Sequence, residues 1–169
     1  MSHDSATDCQ HIIIPIKNFL VIEECPSTWR RLDLYMFRDE DVVFYVGQSY
    51  LAFDRVWQHI RDGYKGRSVV GRFILCNWPG SMKFTIELRS SLADDFAAVG
   101  HDLNAAEQQL IEQLCPCFNS ALNVSPTPLP EKYALPTSAI KCSRSLTKLI
   151  REAGYAVRAE NRRQWRESN

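Results

Sequence analysis

This sequence predicts an α+β fold in which a small antiparallel sheet is flanked by helices. Three observations carry that reading. Two β-prone runs, residues 32–37 and VVFYV, are separated by the charged turn RDED, as in a hairpin. A helical stripe follows: Phe53, Val56, Trp57 and Ile60 recur at i, i+3, i+4 and i+7. A second stripe comes later, at Leu110, Ile111 and Leu114. The 169 residues suit one domain with short appendages, and a hydrophobic content of 45% with balanced charge is that of a folded chain.

Taken in order, residues 11–22 (HIIIPIKNFLVI) are β-prone, and Pro15 confines them to an edge strand. CPST at 25–28 reads as a loop, and Gly47 ends the second strand of the hairpin. Ser49 is placed to cap a helix running to about Asp62, with Gly63 as its terminator. On that helix Arg55 and His59 are four apart, so they neighbour one another away from the apolar stripe. RFILCNW then reads as a strand, Pro79-Gly80 as a turn and MKFTIEL as a further strand. A helix over 105–114 is ended by Pro116. Residues 124–137 hold four prolines and read as an extended linker or a wrapping strand. The tail offers a helix over 146–153, a stop at Gly154 and a short β-prone YAVRA. The organisation is then a 1–31 extension, a 32–123 domain, a Pro-rich linker at 124–140 and a basic extension at 141–169.

Charge is balanced overall but unevenly placed. Residues 1–140 hold 12 Lys/Arg against 17 Asp/Glu, whereas 141–169 hold 8 against 3. A basic tail on an acidic body reads either as a helix docking on that body or as a nucleic-acid arm. Six scattered cysteines without a CxxC pair read as reduced thiols. The start MSHDSATD has early acids and no apolar run of signal length, and IIIPI and FLVI are too short to span a bilayer. A cytoplasmic protein is expected.

Glu107 stands in conflict with its surroundings. Asn104-x-x-Glu107 fits a capping box, in which the glutamate reaches back to the first amide. Yet Glu107 also lies three, four and seven residues before Leu110, Ile111 and Leu114, on the stripe that faces the core. A carboxylate there wants a partner: a divalent metal, an arginine or a cleft open to water.

These residues together resemble the GIY-YIG nuclease family over residues 32–123. The first motif is present as Asp33-Leu34-Tyr35 and the second as Tyr45-Val46-Gly47, with the tyrosines ten residues apart. Arg55 and His59, in RVWQH, stand where the family carries an arginine and often a histidine. EQQLIEQLCPCFN, from Glu107 to Asn119, matches the helix that starts with the metal-binding glutamate and closes with proline and asparagine. Asp33 replaces the glycine of the first motif.

The resemblance implies a metal-dependent DNA endonuclease, restriction-like or belonging to a mobile element. Its fold would be of the GIY-YIG type and its substrate double-stranded DNA. Glu107 would hold one Mg²⁺ (or Mn²⁺) per site, and Arg55 would clamp the scissile phosphate. Tyr35 would orient or deprotonate the attacking water, with its pKa depressed by Arg55, His59 or the metal. Tyr45 would share those contacts, and His59 would relay a proton. Gly47 and Asn119 take structural roles, Asn119 by tying a loop to the sheet. Arg61, Lys65, Arg67 and Arg72, with Lys141, Arg144, Lys148, Arg162 and Arg163 of the tail, would hold DNA. One site cuts one strand, so double-strand cleavage requires a homodimer or two successive events. The alternatives are a catalytically inactive nucleic-acid-binding module and a protein-interaction adaptor.

Overall fold

The computed structural model describes residues 9–136 and 145–169. Four strands form one antiparallel sheet: β1 (His11–Pro15), β2 (Leu34–Asp39), β3 (Val42–Gln48) and β4 (Thr85–Arg89), in the order β1-β4-β2-β3. β1 lies at the edge, where the missing N–H of Pro15 leaves no ladder bond unmade. The helices are α1 (Ile16–Phe19), α2 (Ala52–Tyr64), α3 (Val69–Cys76), α4 (Leu103–Leu114) and α5 (Leu146–Ser168). The chain is therefore α+β, with helices on both faces of a small sheet.

Strand alternation sorts the core into two clusters. Tyr35 and Phe37 point to the larger one, with Phe53, Val56, Trp57 and Ile60 of α2 and Phe73 of α3. Leu34 and Met36 point to the smaller one, with Leu110 and Ile111 of α4. The β2–β3 register slips between Phe37 and Arg38, so Phe37 faces Tyr45 while Arg38 faces Val43. That bulge sends both Phe44 and Tyr45 toward the larger core. The free edge of β3 is covered by the chain leaving α4: the amides of Cys117 and Phe118 donate to Val43 O and Phe44 O.

Several local readings give way. RFILCNW is not a strand but most of α3, which Ser68 caps by accepting the Gly71 amide at 3.0 Å. Phe73, Ile74 and Leu75 are buried in succession because α3 is packed between α2 and the core, so a short apolar run shows no helical period. Gly63 does not end α2; it lies inside the helix, facing Gly71. A Cβ at Gly71 would stand 2.0 Å from His59 O, so only glycine lets the two helices meet. Ser49 does not cap α2 either. The helix begins at Ala52, whose amide donates to Leu32 O, and the Ser49 hydroxyl accepts from the Leu51 amide instead. Pro79 follows a cis peptide bond, and Gly80–Lys83 forms a short 3₁₀ turn before β4.

The tail is one 23-residue helix rather than a short helix and a strand. It continues through Gly154, which is buried against the Val21 side chain. Leu149 and Ala153 are fully buried, Trp78 Nε1 donates to Glu152 Oε2 at 2.8 Å, and Lys17 pairs with Glu160. α5 thus docks on the body through α1 and the segment after α3. Among the described residues no helix is long and apolar enough to cross a membrane.

Candidate functional site

The first and second motifs meet across β2 and β3. Tyr35 pairs with Gly47 in register, and a Cβ on Gly47 would lie 2.3 Å from the Tyr35 Cζ and Oη. Glycine at 47 is thus the space into which the Tyr35 ring folds. Tyr45, two residues earlier on β3, brings its ring to 6.1 Å from that of Tyr35. α2 runs beside them and supplies His59, whose ring lies 5.5 Å from Tyr35 and 5.3 Å from Tyr45.

The polar contacts form a chain. Tyr35 Oη is 2.8 Å from His59 Nε2, and His59 Nδ1 is 2.8 Å from Ser68 Oγ. Ser68 Oγ also accepts the Gly71 amide at 3.0 Å, so the α3 cap and the His59 contact share one hydroxyl. Each ring nitrogen thus faces one hydroxyl, Nε2 that of Tyr35 and Nδ1 that of Ser68, and whichever nitrogen carries the proton donates to its partner while the other accepts. Burial, with the Arg55 charge beside it, pushes the His59 imidazole down to about 4, so it is neutral at pH 7.

Glu107 enters from the other side of the sheet's end. Asp102, not Asn104, caps α4 by accepting the Ala105 amide at 2.9 Å, so Glu107 lies in the second turn and forms no capping box. The helix begins two residues earlier than expected because aspartate is available there. Asn104 instead accepts from Gln48 Nε2 at 2.6 Å. Gln48 also lies against Glu107 and lowers its pKa, but burial outweighs this and raises the carboxyl overall.

Both phenols sit above their ordinary range. For Tyr35 the causes are burial and the neighbouring Tyr45, opposed by Arg55, with Glu107 adding a further rise. For Tyr45 burial leads, followed by Glu107, while Arg55 and Tyr35 pull down. The expectation that nearby cations depress Tyr35 therefore fails in part. Arg55 acts in that sense, but His59 carries no charge to contribute and Glu107 works against it. Tyr35 is only 2% exposed and forms the floor, whereas Tyr45, Arg55, His59 and Glu107 are half-buried around it.

Asn119 grips β3 at both ends of one residue: its Oδ1 accepts from Val46 N at 2.9 Å and its Nδ2 donates to Val46 O at 2.8 Å. Asp33 is engaged elsewhere, accepting from the Ser91 amide at 2.8 Å and the Ser91 hydroxyl at 2.7 Å. Its carboxylate ties the start of β2 to the chain beyond β4. Arg61, Lys65 and Arg67 are exposed near the end of α2, with Arg61 over the Trp57 ring. Arg72 lies half-buried in α3. Lys148, Arg162 and Arg163 are exposed on α5, and Lys141 and Arg144 lie outside the described residues.

Two participants escape sequence reading. Ser68 holds His59, and Gln48 bridges α4 to β3 beside Glu107. Ser68 precedes an apolar run as helix caps do, and Gln48 directly follows the second motif. Among the described residues no group of three or more His, Cys, Asp or Glu is arranged to hold a metal. Glu107 would therefore be a lone protein carboxylate, which suits Mg²⁺, since that ion keeps several waters and takes phosphate oxygens. No family model matches the chain, and neither do curated protein sequences or solved structures.

Proposed function

We propose that this chain is a divalent-metal-dependent DNA endonuclease of the GIY-YIG type. One observation carries the reading: Tyr35, Tyr45, Arg55, His59 and Glu107, from four separate elements, converge on one partly buried cluster, where Arg55 and Glu107 act in opposite senses on both phenols. A structural core has no need of two phenols, a guanidinium, an imidazole and a carboxylate in one place.

Glu107 would hold Mg²⁺ or Mn²⁺. Bound there, the ion would supply Lewis acidity to a phosphate oxygen and offset the Glu107 charge, which adds to the larger effect of burial on both phenols. Arg55 binds the scissile phosphate and holds the Tyr35 oxygen. Tyr45, the more exposed phenol, meets the attacking water. Tyr35 passes the orientation set by His59 to that position through its hydrogen bond with Nε2. Gln48 keeps Glu107 in place. Arg61, Lys65 and Arg67 hold the flanking backbone of duplex DNA. An intracellular setting accords with a DNA substrate and with cysteines that form no disulfide among the described residues.

The test is cleavage of supercoiled plasmid with Mg²⁺ and with EDTA, for the native chain and for Glu107→Ala, Arg55→Ala and Tyr45→Phe. We expect nicking that requires the metal and falls at least 100-fold in each variant. Cleavage that persists in Glu107→Ala and Arg55→Ala would overturn the assignment. DNA binding without cleavage under any divalent ion would instead establish a non-catalytic module.

A further inference from the structure

The outward face of α5 carries an unbroken row of cations and aromatic rings. Lys148, Arg151, Tyr155, Arg158, Arg162 and Trp165 are all exposed, and they follow one another at intervals of 3, 4, 3, 4 and 3 residues. That spacing keeps them on one side of the helix over about 25 Å. The opposite side is the docked one, through Leu149 and Ala153. The helix's acids lie off the row: Glu152 accepts from Trp78, Glu160 pairs with Lys17, and Glu167 borders a depression with Glu160 and Arg163. Arg163 is thus turned away from the row, although its place in the sequence groups it with Arg162. Glu23 flanks the row beside Arg151 and Arg158.

Such a face works against the isolated helix, because like charges three and four residues apart repel. It also leaves Tyr155 and Trp165 60% and 68% exposed, with the Arg158 guanidinium 4.9 Å above the Tyr155 ring. We propose that this face binds an unpaired nucleic-acid strand. The cations meet its phosphates and the two rings take its bases, a combination suited to single strands, whose bases are free to stack. A lipid surface fits less well. A membrane-lying helix presents aliphatic side chains outward, whereas α5 turns Leu149 toward the body. The proposal stands apart from the catalytic reading, since binding here needs neither Glu107 nor a metal.

The experiment measures fluorescence anisotropy of a labelled oligothymidylate with the full chain, in EDTA so that no cleavage intervenes. A matched duplex and phosphatidylserine-containing vesicles serve as competitors. We expect the single strand to bind more tightly than the duplex and vesicles to compete poorly. Replacing Arg158 and Arg162 by Gln should lower the slope of log affinity against log salt by about 1.4, roughly 0.7 for each phosphate no longer neutralised. Tyr155→Ala and Trp165→Ala should each weaken binding about tenfold or more while leaving that slope unchanged. These side chains are exposed, and circular dichroism should show unaltered melting. No binding at low salt, tighter binding of the duplex, displacement by vesicles, or full affinity in the variants would each overturn the proposal.

Discussion

Two small groups shape the candidate site: the hydrogen that stands for a side chain at residue 47 and the hydroxyl of Ser68. Gly47→Ala places a methyl 2.3 Å from the Tyr35 ring, a distance that only displacement of the ring relieves. Overpacking of this kind costs about 1–3 kcal/mol. Urea unfolding should show that loss, together with release of Tyr35 from His59. Ser68→Ala removes both the α3 cap, worth about 1 kcal/mol, and the hydroxyl partner of His59 Nδ1. Ser68→Thr keeps both bonds. Nitrogen chemical shifts of the imidazole separate the roles, because a changed tautomer ratio in Ser68→Ala but not in Ser68→Thr cannot come from lost stability alone. His59 itself sets a pH dependence. Its folded pKa, at about 4, lies below the unfolded value of about 6.5, so the unfolded chain gains a proton first as the solution is acidified. Stability from this group is complete above pH 6.5 and is lost as pH falls toward 4. Denaturation midpoints at pH 7 and pH 5 should therefore differ more for the native chain than for His59→Gln. An equal fall in both would assign the acid loss to other groups.

At the scale of elements, legibility follows periodicity. α2 and α4 are readable because half-buried helices show a stripe, and β2 and β3 because a charged turn separates two β-prone runs. α3 is not, because its short run of successive buried residues, Phe73 to Leu75, shows none. The glycines of this region look like loop residues, yet two of them form the α2–α3 crossing. There the Gly71 backbone is close enough to Gly63 that a Cβ at 63 would sit 2.6 Å from Gly71 C. The crossing also delivers Ser68 to His59, so a packing contact places a polar one. Gly71→Ala would drive a methyl into His59 O, and a backbone atom cannot rotate aside. We expect a loss above about 2 kcal/mol in urea unfolding and a changed His59 tautomer ratio, with α-helical content retained. The site residues are legible for a different reason. Tyr35, Tyr45, Arg55 and His59 sit at motif intervals within one short stretch, and Glu107, 48 residues beyond His59, stands out as a carboxylate on an apolar stripe. Their helpers Gln48 and Ser68 act through contacts that only the assembled layers create. The docking of α5 is equally hidden, since Gly154 marks a close approach to Val21 rather than a stop.

At the scale of the whole molecule, the Pro-rich stretch joins parts that the sheet alone leaves separate. Its described residues, 124–136, have no regular structure, but Tyr133 packs edge-on against Phe44, Phe73 and Phe84, with centroids 5.2, 5.7 and 5.6 Å away. These rings belong to β3, α3 and the approach to β4. The Tyr133 hydroxyl donates to the buried Asp39 Oδ2 at 2.6 Å, at the end of β2. Asn77 adds a second tie, accepting the Ala134 amide at 2.9 Å and donating to its carbonyl at 3.0 Å. One side chain therefore spans the hairpin that carries both tyrosines and the helix whose cap holds His59. Tyr133→Phe leaves Asp39 without this donor and should cost about 1–3 kcal/mol, while Tyr133→Ala also opens the aromatic cluster and should cost about 3–5 kcal/mol. If the stretch were a mere linker, both variants would unfold like the native chain. As part of the core, it should lower a single cooperative transition that tryptophan fluorescence and far-ultraviolet circular dichroism report together. Two separated transitions in Tyr133→Ala would show instead that the hairpin and α3 are stable without it.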